Sequence, residues 1–394
     1  MKSRAPLLLD ATHTSHTRAQ TGIQRVCRSL FAELERAPGA HAVCFDPHLD
    51  DWRSLAAGEL AELRDRSGAR SGASRGARWT LSQKISGHAR RLAGRRTPLP
   101  PAGGLVCPEL FSARVGAQLP GLLAHVDGPC VAIFHDAIGL KLPELTPPST
   151  VARLPGYLRE LLAFDGVAAV SAESAASLRD YWHWLGIANP PPVQTMPHGV
   201  DDLPVVAASG PAGARVLCVG TIEGRKNHLA LLDAAEALWR DGVRFELELI
   251  GMPRPETAAP AIARIEGLQR AGRPLTHHGS VSDARLHAAY ARCAFTVYPS
   301  LMEGFGLPVI ESLRHGKPCV CSGEGALGES ARGGGCVALT SSDAAGIARA
   351  MRRLLQDPAE LSRLAAAAAA RRFRPWSECA SDLVEWMNTL PRRR

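Results

Sequence analysis

No run of this chain approaches the ~20 uncharged apolar residues that a bilayer-spanning helix needs, so nothing in it reads as a transmembrane segment. The opening MKSRAPLLLD has too short an apolar part for a secretory signal, and the expected location is the cytosol. C-x-x-C pairs are absent too. The ten cysteines are scattered, which argues for reduced, mostly buried thiols rather than disulfides or zinc. The closest two, Cys319 and Cys321, are expected on opposite faces of an extended strand. His277 and His278 adjoin each other without a third ligand at a workable spacing, which again excludes zinc. No D-x-D pair is present to carry Mg²⁺ on a diphosphate, and Asp50-Asp51 and Asp201-Asp202 are neighbours outside any phosphate context. Neither a base-stacking aromatic series nor a known reading motif accompanies the cations, which excludes nucleic acid as a partner.

Acids are scarce over one stretch. Net charge is +8, and between Arg64 and Arg96 ten basic residues meet a single acid, Asp65, among Gly, Ser and Ala. Such a stretch is either a solvated insertion or a surface that meets phosphate. With Trp79, Leu81, Ile85 and Leu92 interspersed, it could lie on the inner face of the cell membrane.

What is present accommodates two domains of ordinary size, each with its own core, in 394 residues. The chain is organised around residues 293–323, where the apolar run Ala294, Phe295, Val297, Tyr298 predicts a buried strand. Gly304 and Gly306 mark a tight turn, and Pro308 opens a helix where its missing N–H does no harm. The first amides of that helix have no internal partners and sit at the positive end of its dipole, a setting for phosphate or hydroxyl oxygens. Glu303 precedes the turn and Glu311 lies about one turn inside the helix, so both carboxylates can face one cleft.

Other turns share this placement at strand ends. Residues 6–10 predict a strand, followed by a flexible loop ending in Thr21-Gly22-Ile23 and an amphipathic helix carrying Arg25. A second strand is expected at 40–46, and another from Cys130 to Phe134 ending in His135-Asp136, where Asp136 either orients the histidine or caps the next turn. Ser171 reads as a helix N-cap, and the Tyr181, Trp182, Trp184 cluster as core or edge cover. Gly199, in Met196 to Asp201, permits close backbone approach. Residues 204–214 read as a linker. Beyond them a strand at 215–219 leads to Gly220-Thr221, then Arg225-Lys226 and a helix from Leu229 to Trp239; two cations at a strand-to-helix turn suit a diphosphate. The final helix, Ser377–Leu390, precedes Arg392–Arg394, read as a solvated tail.

The spacing E-G-F-G-L-P-V-I-E from Glu303 to Glu311 resembles the paired-glutamate signature of retaining family 4 glycosyltransferases of group 1. The opening D-x-T…T-G-I-x-R-V and the Pro197–Asp201 segment resemble a bacterial branch of that family, and the likeness spans nearly everything outside residues 50–100. It implies an α/β GT-B fold: two Rossmann-like domains facing a deep cleft, with a last helix crossing back to the first. The expected division is an acceptor domain at 1–203, the linker, a nucleotide-sugar domain at 215–372, and a crossover helix with tail at 373–394.

The resemblance also implies roles. Glu303 and the turn Gly304, Phe305, Gly306, Leu307 would hold the donor sugar, Glu311 the ribose, and Arg225 and Lys226 the leaving diphosphate. Gly220 and Thr221 would line the donor site, Val281 would border the base, Gly22 would approach the donor phosphate, and His135 would face the sugar. Thr221 departs from the arginine common there, and Arg225 supplies that charge. The expected reaction is metal-independent hexosyl transfer with retention, the first guess being mannose from GDP-mannose to a glycan or lipid-linked acceptor of bacterial surface polysaccharide. A UDP-sugar donor, an epimerase or phosphorylase, and a non-catalytic glycan-binding or scaffold subunit are the alternatives.

Overall fold

The computed structural model describes residues 6–19, 21–66, 76–95, 97–201 and 214–393. The expected linker at 204–214, save its last residue, and the tip of the basic stretch at 67–75 lie outside them. The first sheet is built from β1 (Leu7–Asp10), β2 (Ala40–Asp46), β3 (Asp51–Ser54), β4 (Gly104–Cys107), β5 (Cys130–Phe134), β6 (Gly166–Ala169) and β7 (Val193–Thr195). Its order is β3-β2-β1-β4-β5-β6-β7, parallel throughout except for the β2–β3 pair. The second sheet joins β8 (Arg215–Val219), β9 (Glu246–Ile250), β10 (Leu275–His278), β11 (Phe295–Tyr298), β12 (Cys319–Ser322) and β13 (Cys336–Leu339) in the order β10-β9-β8-β11-β12-β13, all parallel. In both sheets the order reverses beside the first strand, and ligands of open α/β sheets bind in the crevice at the carboxyl ends there. That point is β1/β4 in one sheet and β8/β11 in the other.

The central strands are buried throughout and mostly apolar because helices cover both faces, as a parallel sheet requires. Each half has its own core, one around Phe134, Phe164 and Trp182 and the other around Phe295, Leu232 and Met351. The Trp376–Met387 helix crosses back onto the first half, where Trp376, Leu383 and Met387 share a core with Val26 and Leu30 of the Gly22–Arg36 helix. Gly199 allows this return, since a Cβ there would come within 2.4 Å of Trp376 Cα.

Several expectations are corrected. The segment after β1 contains a buried 3-10 turn at Thr14–His16, where an open flexible loop was expected. Glu109 accepts the His13 and Thr14 N–H groups at 2.8 Å each, and buried Arg28 donates to the carbonyls of Ala19, Thr14 and Thr17. His277 and His278, which the sequence alone reads as part of a loop running to Val281, belong to β10 itself. The aromatic cluster divides: Trp182 is buried and donates to Leu158 O, whereas Trp184 is 78% exposed. Cys319 and Cys321 share a face, because alternate residues of a strand do. All ten cysteines are free, and nine are buried.

Arg392 and Arg393 are not a solvated tail, and Arg394 lies outside the described residues. Arg392 places Nη1 2.6 Å from Asp165 Oδ2 and donates to Leu123 O and Val126 O, and the Arg393 N–H also bonds Asp165, whose side chain is fully buried. Arg392→Ala leaves a buried carboxylate short of its cation and is expected to cost about 2–4 kcal/mol. Urea denaturation followed by fluorescence checks this; an unchanged midpoint would make the contact merely incidental.

Candidate active site

At the switch point of the second sheet, β8 and β11 each end in a turn that carries charge. After β8 the chain passes Gly220 and Thr221 to a 3-10 turn at Gly224–Lys226. Asn227 follows in the left-handed region (φ 58°), and its amide fixes the turn by donating to Ser342 O at 2.7 Å and Pro299 O at 3.3 Å. After β11 the chain runs through Glu303 to Gly306, which has φ 90° and precedes the Leu307–Arg314 helix with Pro308 in its first turn. A side chain at Gly306 would be strained by that φ and would meet Leu327 Cδ2 at 2.6 Å.

The two turns face each other through charge. Lys226 Nζ lies 2.5 Å from Glu303 Oε1 and also donates to the Tyr298 hydroxyl, while Arg225 Nη1 lies 2.9 Å from Glu303 Oε2. Arg225 Nη2 reaches Glu223 at 2.7 Å. Burial opposes ionisation of Glu303, but the charges of Lys226 and Arg225 and the hydrogen bond from Lys226 hold its carboxyl down at about 2. Burial likewise pulls the Lys226 ammonium below its ordinary value, against the attraction of Glu303.

Glu311, one helical turn on, is bonded by Arg25 from the first half and accepts from the Tyr290 hydroxyl at 3.1 Å. It borders a cavity of about 490 Å³ between the halves, which Gly220, Thr221, Val281 and Arg25 also line. That volume lies in the range of small-molecule sites. Gly22 opens its helix against Leu307, 3.7 Å from a would-be Cβ, so two helix N-termini converge there. Phe305 packs on the core that Val26 and Leu30 share with Trp376, with its ring 5.0 Å from that of His198.

His135 sits at the end of β5, buried, with Nε2 2.7 Å from Pro108 O. A carbonyl can only accept, so Nε2 carries the proton. Burial holds the imidazole below its ordinary pKa, against the opposing pull of the Pro108 bond and Asp136, which leaves Nδ1 as a lone pair at neutral pH. Asp136 caps the next turn, accepting from the Ile138 N–H at 3.0 Å. The His135 carbonyl meets Gly304 so closely that a Cβ there would lie 2.3 Å away, and Ser174 Oγ donates to the same carbonyl at 2.8 Å.

The structure thus brings Gly220, Thr221, Val281 and Glu311 to the cavity wall, and gathers Arg225, Lys226 and Glu303 into a packed ionic cluster beside the His135–Gly304 contact. Sequence reasoning missed Tyr290, Tyr298, Ser174 and Glu329. Glu329 caps the Ala172–Trp184 helix across the halves, accepting the Ala172 and Glu173 N–H groups at 3.0 and 2.9 Å. None of the four stands in a motif, so no local signal could have found them. The buried carboxylates Asp10 and Glu109 at the first switch point were missed as well; burial, with Glu109 nearby, raises Asp10 to about 7. Among the described residues the one grouping of metal-capable side chains is His16, Cys44 and Glu59. Both Glu59 oxygens there are held by Arg53 at 2.7 Å, and a guanidinium in that position opposes a bound cation.

Residues 213–357 match the family described as Glycosyl transferases group 1. A serotype-specific mannosyltransferase, WbdA, of Escherichia coli is 27% identical over 352 residues, covering 80% of this chain and 38% of that protein. This chain therefore spans about two fifths of the length of that relative. Among solved structures, sucrose-phosphate synthase from Thermosynechococcus elongatus superposes with a TM-score of 0.68 at 20% identity, covering 98% of both chains. Anabaena HepE in complex with UDP and glucose gives 0.66 at 16%, covering 98% of this chain and 100% of that one. Among the described residues no helix is long and apolar enough to cross a membrane. With its two parallel sheets and returning helix the chain has the GT-B fold, and its second half is similar to the group 1 glycosyltransferases.

Proposed function

We propose that this protein transfers a hexosyl group, mannose from GDP-mannose in the first instance, with retention of configuration to a glycan or lipid-linked acceptor of a bacterial surface polysaccharide. The observation that carries the reading is the pairing of Arg225 and Lys226 with Glu303 beside a helix N-terminus, with Glu311 one turn away on the cavity wall. Cleavage of the anomeric C–O bond builds negative charge on the diphosphate and an oxocarbenium-like sugar. Arg225, Lys226 and the Phe305–Leu307 amides would stabilise the first without reorganising, because Glu303 and Tyr298 already hold the lysine in place. The departing phosphate oxygen accepts the acceptor's proton in front-face attack. Glu303 then both positions the cations and meets the sugar, His135 and Gly22 close over the donor, and Glu311 takes the ribose.

The name of the E. coli relative supports mannose, whereas the UDP and glucose bound by HepE keep a UDP-sugar as the second reading. Thermal midpoints against GDP, UDP, ADP and dTDP with their sugars, all in EDTA, decide between them, since selective binding raises the midpoint by mass action. A shift with GDP and GDP-mannose alone supports the first reading. UDP selectivity overturns the sugar, and no shift at all points to a non-catalytic subunit. Glu311→Ala is expected to weaken nucleotide binding about 10- to 100-fold, the worth of hydrogen bonds to a charged group, with kcat changed far less. Titration calorimetry reads this directly; an unaltered Kd would remove Glu311 from the ribose site.

A further inference from the structure

The Leu81–Leu92 helix turns its largest apolar side chains away from the protein. Leu81 is 72% exposed, Ile85 61% and Leu92 89%. They stand four and eleven residues apart, close to one and three whole turns, so they line one stripe within about 40°. The opposite side is fixed to the first domain. Gly87 packs so tightly that a Cβ would meet His48 Cβ at 2.7 Å, and Gln83 donates to Glu59 at 2.7 Å. Just upstream, Trp79 stacks on His16 with ring centroids 3.7 Å apart, and the Arg78 N–H bonds His16 O at 2.7 Å. These contacts prevent the helix from rolling its apolar stripe inward.

We infer that this stripe docks on an anionic lipid bilayer. Lys84 flanks it on one side beside Arg91, which also pairs with Asp50 at 3.3 Å, and Arg78 and Arg95 stand exposed beyond its ends, while the sequence holds no acid between Asp65 and Glu109. An apolar stripe edged with cations enters the headgroup boundary of a negatively charged leaflet, gaining from burial and from charge together. A second copy is a poorer occupant, because symmetric pairing would set these cations against each other. Arg78 and Trp79, just before the helix, bond and stack on the His16 turn that leads to Gly22 and Arg25, so the docked bilayer would lie on the cleft side of the first domain. The inference rests on the helix alone and does not depend on the transfer reaction.

Co-sedimentation of the full chain with vesicles tests it. Vesicles of phosphatidylcholine containing phosphatidylglycerol are expected to bind at least about tenfold more protein than pure phosphatidylcholine, with binding weakened by salt. The triple variant Leu81→Ser, Ile85→Ser, Leu92→Ser is expected to lose roughly tenfold or more, and Lys84→Glu to weaken binding to the charged vesicles selectively. All four positions are exposed, and an unchanged thermal midpoint confirms that the variants fold. Equal binding to both vesicle types, or wild-type binding by the triple variant, overturns the inference. So does sedimentation equilibrium that shows a dimer abolished by the triple variant, which would give the stripe to a second copy.

Discussion

Lys226→Ala is expected to lower kcat by about 10²–10³-fold, the worth of one preorganised charge at a developing anion, while nucleotide affinity changes only a few-fold. The ammonium lies at the end of the β8 turn, buried, and is held by Glu303 and Tyr298 before any donor arrives. A cation fixed in this way costs nothing to reorient as charge grows on the leaving diphosphate. Its contribution is therefore greatest in the transition state, which places the loss in kcat. Arg225 remains to pair with Glu303, so the variant keeps a compensated carboxylate and is expected to fold. Single-turnover rates at saturating donor separate the outcomes: a loss confined to donor affinity would make Lys226 a binding residue, and an unchanged rate would remove it from the site.

Glu303→Ala is expected to abolish measurable transfer and also to destabilise the second half. Removing one member of a buried ion cluster costs about 3–5 kcal/mol, because the partner charge stays buried without compensation. For a domain of this size that is a fall in thermal midpoint of roughly 6–20 °C. The stranded groups are the Lys226 ammonium and one side of the Arg225 guanidinium. Glu303→Gln keeps shape and a hydrogen-bond acceptor but removes the charge, and its stability deficit should depend on pH. The carboxyl is held at about 2 in the folded chain, against ~4.3 in an unfolded one. A depressed carboxyl pKa gives stability that is complete above the unfolded value and is lost as pH falls through the folded one. The gap between wild type and Glu303→Gln should therefore be full at pH 7 and narrow between about pH 4.3 and 2. A gap that does not vary with pH would mean that the cluster contributes packing rather than charge.

By itself the sequence determined the parts whose physics is local. Apolar runs located β2, β5 and β8 to the residue, because a buried parallel strand carries apolar side chains on both faces. Strand-turn-helix spacing placed Arg225-Lys226, Glu303 and Glu311 at strand ends and a helix start, where open α/β folds bind ligands. Tertiary structure alone decided which of these groups touch. Glu303 meets Lys226 and Arg225 across 77 and 78 residues of chain, and Arg25 meets Glu311 across 286, because two sheets each bring distant segments to one switch point. Arg392 has the composition of a tail and the contacts of a clamp, since a buried Asp165 waits at the point where the returning helix ends. The exposed stripe of Leu81, Ile85 and Leu92 likewise needed coordinates. An amphipathic pattern shows that a helix has an apolar face, and only the packing of its other side shows that the face looks outward.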